Sequence, residues 1–375
     1  MFRTNYIIII LVLLFAYPVN AQWNFNLGSY STIDDNAFRN YNKISDIYQT
    51  FYLYLSRDIS FKSSNIRAYY SGSKTYFDKF RNRNYSSNGG SLVFTKSFRD
   101  EKYILNIGGN VDLINFNNFY QVFDSKNLKF FNNIRFSTNN SLYIGGITSE
   151  HLLYPNLESQ NNIKTNVFLR WQKYYESRTT LKTNLLYGYN HYFNKSAFIG
   201  DELEFVNSSA LADRISFEFL VAQSITDLLG ISLNLEYSKI LHNSERYIKI
   251  NSDYIYSEEE IFNVPFDYNL YDVSLQLTKV FQNSISAQII GTLQNRDYIN
   301  QRALDLNGSI INENLLRQDN RKLLNFNISK KFDVPMIAVK SFTVGLSIFW
   351  LKNESNDPYY NYGNLLSNIN FAFSF

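Results

Sequence analysis

The stretch Leu365-Leu366-Ser367-Asn368-Ile369-Asn370-Phe371-Ala372-Phe373-Ser374-Phe375 decides the fold. Successive side chains of a strand point to opposite faces. Leu365, Ser367, Ile369, Phe371, Phe373 and Phe375 therefore share one face, and Leu366, Asn368, Asn370, Ala372 and Ser374 share the other. Working back along the chain, the same alternation recurs. Phe342, Val344, Leu346, Ile348 and Trp350 alternate with Thr343, Gly345, Ser347 and Phe349. Tyr271, Val273, Leu275 and Leu277 alternate with Asp272, Ser274, Gln276 and Thr278. Ile231 to Ser238 and Ile285 to Leu293 follow the same rule. No helical periodicity of comparable length occurs, so the chain reads as all-β.

Segment length and spacing turn this into a barrel. The segments approach the 9–11 residues that a tilted strand needs to cross a bilayer. Their connections alternate between short and long. Short ones fall near Arg99 to Lys102, Thr138 to Asn140, Tyr174 to Glu176, Thr226 to Gly230 and Gln282 to Ser284. Long ones fall near Ser73 to Asn88, Leu113 to Ser125, His151 to Asn162, Asn194 to Asp213, His242 to Phe266 and Arg296 to Asn320. A soluble sandwich has no reason to keep that rhythm, whereas membrane barrels have short turns at one end and long loops at the other. The pattern predicts a transmembrane antiparallel up-and-down barrel of about 16 strands, with 14 and 18 also compatible. Strand centres are expected near Phe25, Phe51, Ala68, Val93, Ile107, Ile134, Ile144, Val167, Leu185, Phe219, Leu233, Leu275, Ile289, Phe326, Leu346 and Phe371. Both termini then lie on the short-turn, periplasmic side, and the long loops face outward.

The chain has 375 residues and a formal net charge of +3, too balanced to point to a nucleic-acid partner. Mean hydropathy is −0.27, which argues against helical membrane spans. Barrel strands need only alternate apolar residues, so they leave mean hydropathy ordinary. Residues 1–21 read as a signal peptide: Arg3 is followed by an unbroken apolar run from Ile7 to Ala16 and by Val19-Asn20-Ala21, with cleavage expected between Ala21 and Gln22. An uncleaved anchor helix is the alternative, although the run is short of the roughly 20 residues that a span needs. Residues 22–375 are then one barrel. There is no cysteine, hence no disulfide framework, no thiolate site and no acylated cysteine.

The final strand resembles the terminal signal by which barrel-assembly machinery recognises its clients, carried here by Leu365, Ile369, Phe371, Phe373 and Phe375. The Asn20-Ala21-Gln22 start and the abundance of Asn, Tyr, Phe and Ile resemble outer-membrane barrels of Bacteroidota-type bacteria. The run Asp35-Asn36-Ala37-Phe38-Arg39-Asn40 is similar to a first-loop stretch of such barrels. The resemblance implies a porin-like barrel in the outer membrane, with membrane lipid, lipopolysaccharide and the assembly machinery as partners, and no particular activity. A plugged TonB-dependent transporter and an Omp85-type pore are disfavoured, because the first strand begins almost at Gln22.

Charge placement gives the candidate site. Alternation assigns Arg67, Arg135, Lys164, Arg170, Lys182, Asp112, Glu218, Glu236 and Asp272 to the lumen, since a charge facing lipid costs several kcal/mol at mid-bilayer. The basic residues cluster in earlier strands and the acidic ones mainly in later strands. Such walls would set a transverse field favouring polar or charged solutes, or would pair and hold the wall together. His151, His191 and His242 fall near long-loop ends without a nucleophile motif, so no enzyme, catalytic residue or cofactor is expected. Glu258-Glu259-Glu260 with Asp253 and Asp267, and Asp34-Asp35, read as solvated acidic loops rather than metal sites. Tyr52, Tyr54, Tyr69, Tyr70, Trp171, Tyr187, Tyr189, Trp350, Tyr359 and Tyr360 gather near segment ends, where ring and polar tip suit a membrane interface. The leading reading is a channel or transport-related barrel for small polar solutes. The alternative is a surface-binding barrel whose loops contact glycans or partner proteins.

Overall fold

Sixteen antiparallel strands close into a single barrel in which each pairs with its sequence neighbours and the first pairs with the last. The computed structural model describes residues 21–99, 101–193, 211–243, 265–334 and 339–375. The strands are β1 (Ala21–Asp34), β2 (Asp46–Ser60), β3 (Ser64–Phe77), β4 (Tyr85–Phe98), β5 (Tyr103–Phe116), β6 (Ser125–Ser137), β7 (Ser141–Leu153), β8 (Asn162–Tyr174), β9 (Thr179–Tyr192), β10 (Leu211–Thr226), β11 (Leu229–Asn243), β12 (Tyr268–Val280), β13 (Ile285–Arg302), β14 (Leu316–Asp333), β15 (Ser341–Ser355) and β16 (Tyr362–Ser374). All sixteen expected centres fall inside strands.

Every strand contributes at least one large, exposed apolar side chain, among them Leu27, Leu92, Ile134, Leu169, Leu293 and Ile369. Directly paired residues share a face, so the register carries this outward face round the whole barrel: Leu27 opposite Leu53, Leu169 opposite Leu185, Leu346 opposite Ile369. Apolar groups turned outward on all sides suit a lipid surrounding, where the closed sheet also satisfies every strand edge.

The two ends differ. The β2–β3, β4–β5, β6–β7, β8–β9, β10–β11 and β12–β13 connections have two to four residues, those at the other end have six or more, and residues 334–340 join β14 to β15. Several strands run past the bilayer length; β13 and β14 have 18 residues each. Strands β3 and β4 likewise reach further than the expected long connection from Ser73 to Asn88, leaving only residues 78–84 between them. Ser73, Lys74 and Thr75 pair with Ser87, Ser86 and Tyr85 there, because strand pairing needs no apolar face once it has left the lipid.

Every buried apolar side chain among the described residues sits at the long-loop end. Phe38, Phe123, Tyr154, Phe266, Tyr298 and Tyr360 belong to it. Long connections fold over the barrel mouth and pack on the inner faces of the strand ends. Toward the short-turn end, Ser56 and Ser341 are buried, but the large inner-face residues Arg67, Asn106, Arg135 and Gln172 are half-buried or exposed. The lumen is therefore packed in one half and open in the other.

Candidate functional site

The inner wall holds one rung of charge, read straight across paired strands: Arg135, Ile144, Arg170, Asn184, Glu218, Glu236, Asp272, Gln294 and Arg321. All lie on the face opposite the exposed apolar residues. Three carboxylates thus stand side by side on β10, β11 and β12, with two guanidinium groups before them and one after. The neighbours temper the charges. Lys182 donates to Glu218 Oε1 at 3.2 Å. Asp272 accepts from Gln294 Nε2 and from Ser274 Oγ, both at 2.9 Å.

Arg67, Lys164, Lys182 and Asp112 also occupy inner-face positions, off this rung. Arg67 pairs with Asp58 at 2.7 Å near the short-turn end. Asp112 accepts from Asn110 Nδ2 at 2.6 Å. Lys164 lies in the packed half, opposite Glu150 on β7 and Asn190 on β9. The structure adds inner-face arginines that the sequence reading missed: Arg214, Arg296, Arg317 and Arg321. Arg296 and Arg317 fell inside a presumed loop and Arg214 at the edge of one. The usable signal was the period-two run Arg317-x-Asp319-x-Arg321, whose side chains are all buried. With these included, charge varies along the barrel axis as well as round it, and the two-wall picture is incomplete.

Arg317 organises the packed half. Its guanidinium lies between the rings of Tyr298, 4.4 Å away, and Tyr360, 3.2 Å away. Two of its nitrogens bond the Asp319 carboxylate at 3.0 and 2.5 Å. Nearby, Asp357 accepts from the backbone N–H groups of Leu304 (3.2 Å) and Tyr359 (3.1 Å). Burial raises the pKa of the Asp357 carboxyl from its ordinary value, against the pull of those bonds and of Arg317.

The first-loop motif closes the β1–β16 seam. Asp35 Oδ1 accepts from Leu365 N at 2.6 Å, and Asp35 N donates to Leu365 O. Asn36, fully buried, donates through Nδ2 to Asn40 O (2.7 Å) and Gly363 O (3.1 Å). Asn364 Nδ2 donates to Asp34 Oδ1 at 2.6 Å. Phe38 packs edge-on against Phe80, and Arg83 stacks over Phe38 and donates to Ala37 O at 3.1 Å. Asp34-Asp35, expected to be a solvated acidic loop, is thus partly a seam latch, with Asp34 3% exposed.

Several expected features lie elsewhere. His151, His191 and His242 all occupy outward-facing strand positions, and His242 Nδ1 meets Asp213 Oδ1 at 3.0 Å. Leu365, Ile369, Phe371 and Phe373 are exposed on the outer face, and the Phe375 ring packs on Phe25 with centroids 5.0 Å apart. Tyr52, expected in a girdle, turns inward instead and lies over Gly28, where a Cβ would overlap its ring. Residues 1–20, the Asn194 loop, Asp253 and Glu258-Glu259-Glu260 lie outside the described residues. No group of three or more His, Asp or Glu able to hold a metal occurs among the described residues.

Comparison with known proteins adds three findings. Residues 231–375, covering β11 to β16 and less than half of the chain, match a family model described as surface lipoprotein assembly modifier. No curated protein matches the sequence. Among solved structures the barrel is similar to CdiB from Acinetobacter baumannii, at 10% identity and a TM-score of 0.54, over 94% of this chain. The chain spans 60% of the length of that protein. It is also similar to OccK8 (OprE) of Pseudomonas aeruginosa, at 9% identity and a TM-score of 0.51, over 95% of this chain and 98% of the other. OccK2 (OpdF) of the same organism, solved with glucuronate, gives 10% identity and a TM-score of 0.50 over the same shares. At such identities the likeness is one of fold. The chain is an outer-membrane β-barrel of porin-like fold.

Proposed function

We propose that this barrel serves the surface assembly of lipoproteins, acting on a protein partner rather than as an open diffusion channel. The observation that carries the reading is the match of β11 to β16 to the surface lipoprotein assembly modifier model. The geometry is compatible with it. The matched strands hold the Arg317 cluster and much of the buried layer at the long-loop end, so the mouth there is packed. The open half of the lumen faces the short-turn end.

In this reading residues 1–21 direct export, with cleavage between Ala21 and Gln22. The terminal Leu365, Ile369, Phe371, Phe373 and Phe375 address the barrel-assembly machinery. Short turns and termini face the periplasm, and the long loops face lipopolysaccharide and the medium. The first-loop motif keeps the Bacteroidota-type resemblance as part of the proposal. The role is one of assembly, without catalysis.

A second reading, passage of small polar solutes, draws on the charged rung through Arg170, Glu218, Glu236 and Asp272. The two part cleanly in a deletion strain of the source bacterium. Assembly predicts that lipoproteins normally cleaved by protease added to intact cells become protected, and that the wild-type gene restores cleavage. Unchanged lipoprotein exposure combined with slowed uptake of small polar solutes would favour passage instead.

A further inference from the structure

The outward face of β6 reads Leu128, Phe130, Asn132, Ile134 and Phe136, and one of these does not suit lipid. Asn132 is exposed on that face. Its four nearest neighbours there are all exposed apolar side chains: Phe130 (60%) and Ile134 (56%) on its own strand, Ile107 directly opposite on β5 and Ile147 directly opposite on β7. It stands between Lys126, toward the long-loop end, and the stacked rings of Phe136 and Tyr143 near the short turn. No group among the described residues bonds its amide. Hydrocarbon offers neither a donor nor an acceptor, so a lone amide facing lipid is costly. The side chain is also too short to reach the headgroups as a lysine would.

The surface around Asn132 is uneven. On β7, Gly145 lies between Ile134 of β6 and Leu169 of β8 and has no side chain to fill the gap. A groove of about 710 Å³ results, lined on this face by Ile134, Tyr143, Ile147, Val167 and Leu169. On the other side, the Phe130 ring leans over Gly109 of β5, where a Cβ would come within 3.3 Å of it, and forms a ridge with Ile107. Asn132 sits on the border between groove and ridge.

Two properties identify the occupant. A carboxamide carries both donor and acceptor, so another carboxamide answers it fully. Copies of one chain enter the membrane in the same direction, so a two-fold axis between them runs along the membrane normal. That axis sets Asn132 against Asn132 and carries each copy's ridge toward the other's groove. Small residues that allow close approach, with polar side chains bonded across the contact, are a general means of association within a membrane.

We infer that the β5–β8 wall is where two copies of this barrel meet, with the paired Asn132 amides at the centre of the contact. This goes beyond lipoprotein assembly and stands or falls without it, because association is read on the barrel alone.

The chain has no cysteine, so one introduced thiol reports on its own position. Asn132→Cys is compared with Leu324→Cys, each in the full-length protein in outer membranes. Leu324, 48% exposed on β14, faces outward eight strands away. A short bifunctional thiosulfonate should link Asn132→Cys into a product of twice the mass and leave Leu324→Cys single. In sedimentation equilibrium of detergent-purified protein, Asn132→Leu should weaken self-association about tenfold. Heat-modifiable migration on gels shows that each variant has folded. Any of four results overturns the inference: folded Asn132→Cys gives no dimer, it links to a different protein instead, Leu324→Cys dimerises equally well, or Asn132→Leu associates as tightly as the wild type.

Discussion

At the residue scale, Arg317 shows how a charge is kept inside a barrel. A guanidinium is planar and weakly hydrated, so two tyrosine rings and one carboxylate replace its water at modest cost. Its side chain is 3% exposed, and that of Asp319 is fully buried. Removing the arginine alone leaves the carboxylate buried and uncompensated. Arg317→Ala should therefore lower stability by about 3–5 kcal/mol in a urea titration of the refolded barrel. Changing Arg317 and Asp319 together to apolar residues should cost less. Asp357 gives a pH prediction from the same cluster. Burial raises its folded pKa, so the native state holds this proton more tightly than the unfolded chain. That contribution is complete below the unfolded value of about 4 and is lost as pH rises through the folded value. Asp357→Asn removes the titration. Between mildly acidic and neutral pH its melting temperature should fall less than that of the wild type.

At the element scale, the seam between β1 and β16 is held by side chains as well as by the ladder. Pairing runs from Asn26 opposite Ser374 to Asp34 opposite Leu366, and the Asp35, Asn36 and Asn364 bonds continue it past the last pair. Asn36→Ala should cost about 1–3 kcal/mol, the price of leaving buried partners unmet. Limited proteolysis should then cut residues 35–45 faster without altering strand content. The strands themselves were legible, because alternation is imposed by two different media on the two faces, as at Leu233 and Leu275. Their far ends were not. Beyond the lipid, the outer face no longer has to be apolar, so Arg296 and Arg317 read as loop although they sit in strands. The latch was half legible: Asp35 to Asn40 stood out as a motif, but its partners Gly363, Asn364 and Leu365 are more than 300 positions away.

At the scale of the whole molecule, the outward apolar belt and the packed mouth make separate demands. The belt answers to the bilayer. Leu169, 63% exposed in the outward face, is a sensitive position. Leu169→Arg should destabilise the membrane-inserted barrel by roughly 2–4 kcal/mol, whereas a cation already stands on the same face at Lys173, near the short-turn end of β8. The mouth answers to function, because loops and strand ends with buried tyrosines, arginines and asparagines fill the half of the lumen that an open porin would leave to water. Planar-bilayer recording tests this most directly. Purified wild-type protein in molar potassium chloride should show no steady conductance at low voltage, and deletion of residues 36–44, which removes the Phe38 packing, should create one. A stable, porin-sized conductance of the wild-type barrel would contradict the account and return the solute channel to first place.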